Sequence, residues 1–186
     1  MKKILFILLL LSGCTSPQPH FYQPVTAQNI EQTYPKVKSV ILVKPISMPP
    51  LSVRPQITTI GKNDYELNID EFNRWGASPD KLFQDILVRN LNAYLPNANI
   101  ENQSAVGKKY QYAVSVEINR LIGKLNRNAE LDAAYYIKGS DGTILKSGKL
   151  TESIALNEKG YDAYVLAQSH LFAALCAQIA DDLNSL

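Results

Sequence analysis

The stretch Tyr110-Gln111-Tyr112-Ala113-Val114-Ser115-Val116-Glu117-Ile118-Asn119 sets Tyr, Tyr, Val, Val and Ile on alternate positions over ten residues. Period two is the signature of a strand with one face buried, because successive side chains point to opposite sides of a sheet. Working outward, residues 131–137 form a second apolar run. Ser140-Asp141-Gly142 supplies a turn, and residues 143–150 read as the hairpin partner. Towards the N-terminus, residues 37–46 are β-branched and apolar, a buried strand ended by Pro45 and by Pro49-Pro50. Residues 56–60 and 65–69 flank Gly61-Lys62-Asn63-Asp64, which predicts another hairpin.

Two segments change to the helical period. Ser78 is an N-cap candidate, and Pro79 suits the first helical position, where a missing N–H costs nothing. Leu82, Phe83, Ile86, Leu87, Leu91, Tyr94 and Leu95 then recur at helical spacing until Pro96 stops the run. The chain closes with a helix over residues 161–183, its stripe built from Tyr161, Val165, Phe172, Leu175, Cys176, Ile179 and Leu183. The predicted fold class is α+β: a mainly antiparallel sheet with the two amphipathic helices packed on one face, in a single domain over residues 36–186.

The N-terminus carries an address. Met1-Lys2-Lys3 is a basic n-region and residues 4–11 are unbroken apolar, too short to span a bilayer core of about 30 Å. Leu11-Ser12-Gly13-Cys14 resembles a bacterial lipobox. Its chemistry needs Cys14: the thiol takes a diacylglycerol as a thioether, and cleavage before it frees an amine for a third acyl chain. Residues 1–13 are thus expected to be a signal peptide. Residues 14–35, with Pro17, Pro19, Pro24 and Pro35, read as a lipidated flexible tether that reaches roughly 60 Å if fully extended. Phe21-Tyr22 is the exception within it, two aromatics suited to docking on the body. Thr15 does not match the Asp that retains enterobacterial lipoproteins in the inner membrane, so the expected address is the periplasmic face of the outer membrane.

Composition narrows the function. The 186 residues carry a net charge of +2, and both excess positives, Lys2 and Lys3, leave with the signal peptide. A neutral body gives no electrostatic case for nucleic acid. Cys176 sits in an apolar helical run and reads as a small core hydrophobe. His20 and His170 lack partners at metal-ligand spacing, and Ser169-His170 are adjacent on a helix and so point about 100° apart. No nucleophile elbow, phosphate loop or dinucleotide fingerprint occurs. The expectation is no enzyme, no metal and no cofactor beyond the covalent lipid on Cys14. The least generic part of the body is the 48–57 loop together with Arg74 and Trp75, because Arg and Trp recur at interface hot spots. Trp75 reads equally well as a core lid beneath that loop.

These features converge on a resemblance. Tyr22 after a short lipidated tether, the 37–46 strand, Leu51 with Arg54-Pro55-Gln56-Ile57, and Asn73-Arg74-Trp75 begin the pattern. The helix ending at Pro96 and the closing helix complete it. Together they resemble the ABC-transport auxiliary lipoproteins, and within them the PqiC-like (paraquat-inducible C) intermembrane transport lipoproteins. The chain departs from that pattern at Gly76-Ala77 and at Leu51-Ser52-Val53, where the family carries Ala-Glu and an aromatic with Asp. The resemblance implies a non-enzymatic component of a lipid-transport system whose partner is an MCE-domain protein anchored in the inner membrane. MCE proteins form rings, so it also leaves room for a homo-oligomeric collar. Leu51, Arg54, Pro55, Gln56, Arg74 and Trp75 are the candidate partner-binding residues. The rival roles are assembling or plugging an outer-membrane barrel, and carrying lipid in a cavity of its own.

Overall fold

A computed structural model describes residues 17–102 and 109–186. The expected signal peptide, residues 1–13, and Cys14 lie outside the described residues. In chain order the elements are β1 (His20–Tyr22), β2 (Val40–Val43), β3 (Gln56–Ile60), β4 (Leu67–Trp75), α1 (Pro79–Tyr94), β5 (Asn99–Asn102), β6 (Tyr112–Ile122), β7 (Asn128–Gly139), β8 (Ile144–Ala155) and α2 (Tyr161–Asn184).

The strands form two sheets, one ordered β1-β4-β3 and one ordered β5-β2-β6-β7-β8. The α+β class holds, but the sheets are mixed where the sequence predicted a mainly antiparallel one. Hairpins β3–β4, β6–β7 and β7–β8 are antiparallel as expected. β2, however, lies parallel to both β5 and β6, and β1 lies parallel to β4. Hairpin partners are close in sequence and announce themselves by a turn. A parallel partner is reached by a long crossover, here through α1, and leaves no local signal.

The period-two run becomes the centre of the larger sheet. Val114, Val116 and Ile118 pair with Ile137, Tyr135 and Ala133 of β7, and all six are buried on one face. On the other face Glu130, Asp132, Ala134, Tyr136 and Lys138 stay partly exposed. There Arg120 pairs with Glu130 at 2.9 Å and Lys149 with Asp132 at 3.5 Å, so this face is solvated. Both helices cover the apolar face, α2 against β7 and β8 and α1 against β5 and β2, and they touch each other. Pro79 opens α1, with Ser78 at its N-cap, as read from the sequence. The Ser78 hydroxyl bonds the Asp80 carboxylate instead of a backbone N–H. α2 is long and apolar enough to cross a membrane, yet Leu171, Phe172, Leu175, Cys176 and Ile179 are fully buried within the body. It is a core helix.

The proline-rich segment is extended, as composition indicated, but it is fastened down from His20 onward. β1 pairs with β4, the Val25 N–H donates to Ser169 Oγ at 3.1 Å, and the Ala27 N–H donates to Asn90 Oδ1 at 2.8 Å. Further on, the Tyr34 N–H donates to the Tyr94 carbonyl at 2.7 Å and its hydroxyl to Asp181 at 2.9 Å. Prolines remove donors from the segment, but the Val25, Ala27 and Tyr34 N–H groups find acceptors on the helices, and Pro24 is buried. Residues 20–35, expected to be part of a free tether, are instead held against the body.

Candidate functional site

The 51–56 loop is shaped by its prolines. Pro49-Pro50 interrupts the extension of β2, and the Ser52 N–H closes a turn onto the Pro49 carbonyl at 2.8 Å. Pro55 has no N–H to give, but its carbonyl accepts the Trp75 N–H at 2.6 Å, and Gln56 lies opposite Arg74 in the β3–β4 register. All six residues singled out from sequence thus share one patch at the end of the three-stranded sheet.

Within that patch their roles divide. Arg54 and Pro55 are exposed at the crest of the loop, whereas Leu51, Gln56 and Arg74 are half-buried. The Glu71 carboxylate joins two of them: Gln56 Nε2 donates to it at 3.2 Å, and Arg74 approaches it at 3.7 Å. Trp75 is a core residue, 6% exposed. Its ring meets Phe83 edge-on at 5.7 Å, and Phe83 meets Phe172 at 5.0 Å, so one aromatic chain ties β4 to α1 and α2. Trp75 holds the loop's floor and does not offer its face to a partner.

Beneath the loop lies a cavity of about 30 Å³ lined by Leu51, Gln56, Thr58, Trp75, Pro79 and Gln168, among others. Thr58 Oγ1 and Gln168 Oε1 border it, buried and without a protein partner. The volume and two polar atoms suit a single bridging water, and an acyl chain does not fit.

β4 is clamped to α2 on its inner side. Tyr161 donates to Asp70 Oδ2 at 2.9 Å, and Asp70 Oδ1 accepts the backbone N–H groups of Phe72 and Asn73, each at 2.8 Å. Burial works to raise the Asp70 carboxyl, but these hydrogen bonds outweigh it and hold the carboxyl below its ordinary value. The Tyr161 hydroxyl is pushed up by burial and by that carboxylate. Tyr22 packs on Tyr161 at 6.1 Å and donates to Asn73 Oδ1 at 3.1 Å. Sequence reasoning noticed the Phe21-Tyr22 pair but gave no reason to link it to Asp70 and Tyr161. Ser169, next to His170 in sequence, is a clip: it donates to the Val165 carbonyl and accepts the Val25 N–H. Among the described residues, no group of three or more His, Cys, Asp or Glu could hold a metal ion.

Residues 22–180 match the family model described as the ABC-type transport auxiliary lipoprotein component. The chain belongs to that family. The auxiliary lipoprotein is thereby a component of a transport system, as the resemblance in its sequence implied. No match is found among curated proteins. Among solved structures, an uncharacterized protein is similar at 17% identity and a TM-score of 0.75, over 89% of this chain and 98% of that one. A Xanthomonas campestris protein described under the family model DUF330 is similar at 14% identity and a TM-score of 0.71, over 87% and 92%. At these identities the likeness establishes the shared fold of the auxiliary lipoprotein and its neighbours.

Proposed function

We propose that this auxiliary lipoprotein is a PqiC-like, non-enzymatic docking component of an MCE-type intermembrane lipid transport system. It is anchored through lipidated Cys14 to the periplasmic face of the outer membrane, and it receives the far end of the MCE partner. The observation that carries the docking role is the convergence of Leu51, Arg54, Pro55, Gln56 and Arg74 in one patch over a rigid aromatic floor. A half-buried arginine on β4 near an exposed one on a loop bonded to that strand is how an interface presents a few strong contacts at low ordering cost.

Two experiments test the reading. Cys14→Ala should move the protein from the membrane to the soluble fraction, and retention there would reject lipid anchoring. Arg54→Ala combined with Arg74→Ala should abolish co-purification with the MCE protein while leaving the circular dichroism spectrum unchanged. Unimpaired co-purification would reject the patch. Crosslinks to an outer-membrane barrel in place of an MCE protein would move the function to barrel assembly.

A further inference from the structure

We infer that the β1-β4-β3 sheet is a membrane-facing surface, with Phe21 and Phe72 seated at the lipid–water interface; this rests on the lipidation of Cys14 proposed above. The first observation is a concentration of exposed apolar side chains. Ten large apolar residues are exposed among the described residues, and five of them, Phe21, Tyr65, Leu67, Ile69 and Phe72, fall in this small sheet and its turn. Phe21 is 66% exposed and Phe72 45%. Phe21 lies opposite Arg74 in the β1–β4 register, and Phe72 comes two residues before Arg74, where β4 bulges against β3. Leu67 and Ile69, two apart on β4, share a face of that strand.

The second observation is the length of chain between anchor and body. β1 begins at His20, only six residues beyond Cys14. Fully extended, six residues span about 20 Å. A body of this size is roughly 40 Å across, so the anchor cannot let it rotate freely beside the bilayer. The side that carries β1 must stay near the lipid, and that is the side with the exposed aromatics. Phenylalanines at the headgroup boundary remove apolar surface from water. The surface also adjoins the Arg54–Arg74 patch, so a partner docked there is held beside the membrane.

The test uses the full, lipidated protein reconstituted into phosphatidylethanolamine–phosphatidylglycerol vesicles containing phospholipid brominated on its acyl chains. The chain has one Trp, buried Trp75, whose emission is subtracted from the wild type. Trp is introduced as Phe21→Trp, Phe72→Trp and, as a control at the exposed end of β8, Ile144→Trp. Emission from positions 21 and 72 is expected to fall about two-fold against unbrominated vesicles, because interfacial aromatics sit at headgroup depth, while position 144 is unchanged. Mass analysis of the Cys14 peptide is made first: absence of the lipid would overturn the anchoring reading and this inference with it. Lipid on Cys14 with no quenching at 21 and 72 would overturn this inference alone. A concentration-dependent blue shift without quenching would also overturn it, assigning the surface to contact between copies.

Discussion

Trp75 separates two roles that an arginine- and tryptophan-bearing loop could play, and Trp75→Ala tells them apart. The indole is buried and bears edge-on on Phe83, which bears in turn on Phe172. Truncating a buried Trp to Ala costs about 3–5 kcal/mol, the loss of an edge-on aromatic contact accounting for roughly 0.5–1.5 kcal/mol of it. Stability in a domain of this size is on the order of 5–15 kcal/mol, so the variant should fold but with a thin margin. With a urea slope of about 2 kcal/mol/M, the midpoint should drop by roughly 2 M. Far-ultraviolet circular dichroism is the suitable assay, since the substitution deletes the only tryptophan. Trp75→Phe keeps a ring against Phe83 and should lose much less. Arg54→Ala, at the exposed crest, should leave the midpoint in place and weaken partner capture. A Trp75→Ala protein with an unchanged midpoint that no longer captured the proposed MCE partner would refute this reading, making Trp75 a contact residue.

Three further outcomes follow from the packing. A Cβ at Gly148 would clash with the hydroxyl end of the Tyr135 side chain, which is fully buried and donates to Asp182 at 2.5 Å. Gly148→Ala should therefore destabilise by about 1–3 kcal/mol, read as a lower thermal midpoint, and an unchanged midpoint would refute the close packing. The Asp70 carboxyl is depressed in the folded state, so its stabilisation is complete above the unfolded value near 3.9 and is lost as pH falls through the folded one. The stability gap between wild type and Asp70→Asn, from urea melts at several pH values, should be widest at neutral pH and narrow below about pH 4. Burial pushes the Cys176 thiol up to about 12, against the smaller opposing effect of the Asn90 side chain. A thiol reagent at pH 8 should label Cys176 only as fast as the protein unfolds, and rapid labelling of the native state would contradict its burial.

Much of the fold was legible because its signals are local. Alternation over Tyr112–Ile118 fixed a half-buried strand, Ser140-Asp141-Gly142 a hairpin, and Ser78-Pro79 with Pro96 the ends of a helix. The parallel pairs were not legible, since β2 meets β5 across more than fifty residues with no turn to mark the register. The three-residue β1 inside a proline-rich stretch offered composition but no periodicity. At the site, the sequence pointed to residues that the fold gathers into one patch, and it left Trp75 open between surface and core. Only packing decides that, because a large aromatic suits both settings equally well.

The sequence by itself showed the basic and apolar N-terminal run, the lipobox-like residues 11–14 and the α+β alternation. All of these are properties of neighbouring residues and need no partner from elsewhere in the chain. The tertiary structure decided that the supposed tether is strapped down from His20, that the Trp75 ring is buried, and that Phe21 and Phe72 are exposed on neighbouring strands. Each depends on which distant N–H finds which acceptor, or which ring finds which cavity. Those pairings are settled by the whole body at once, when buried polar groups must be matched and apolar surface covered.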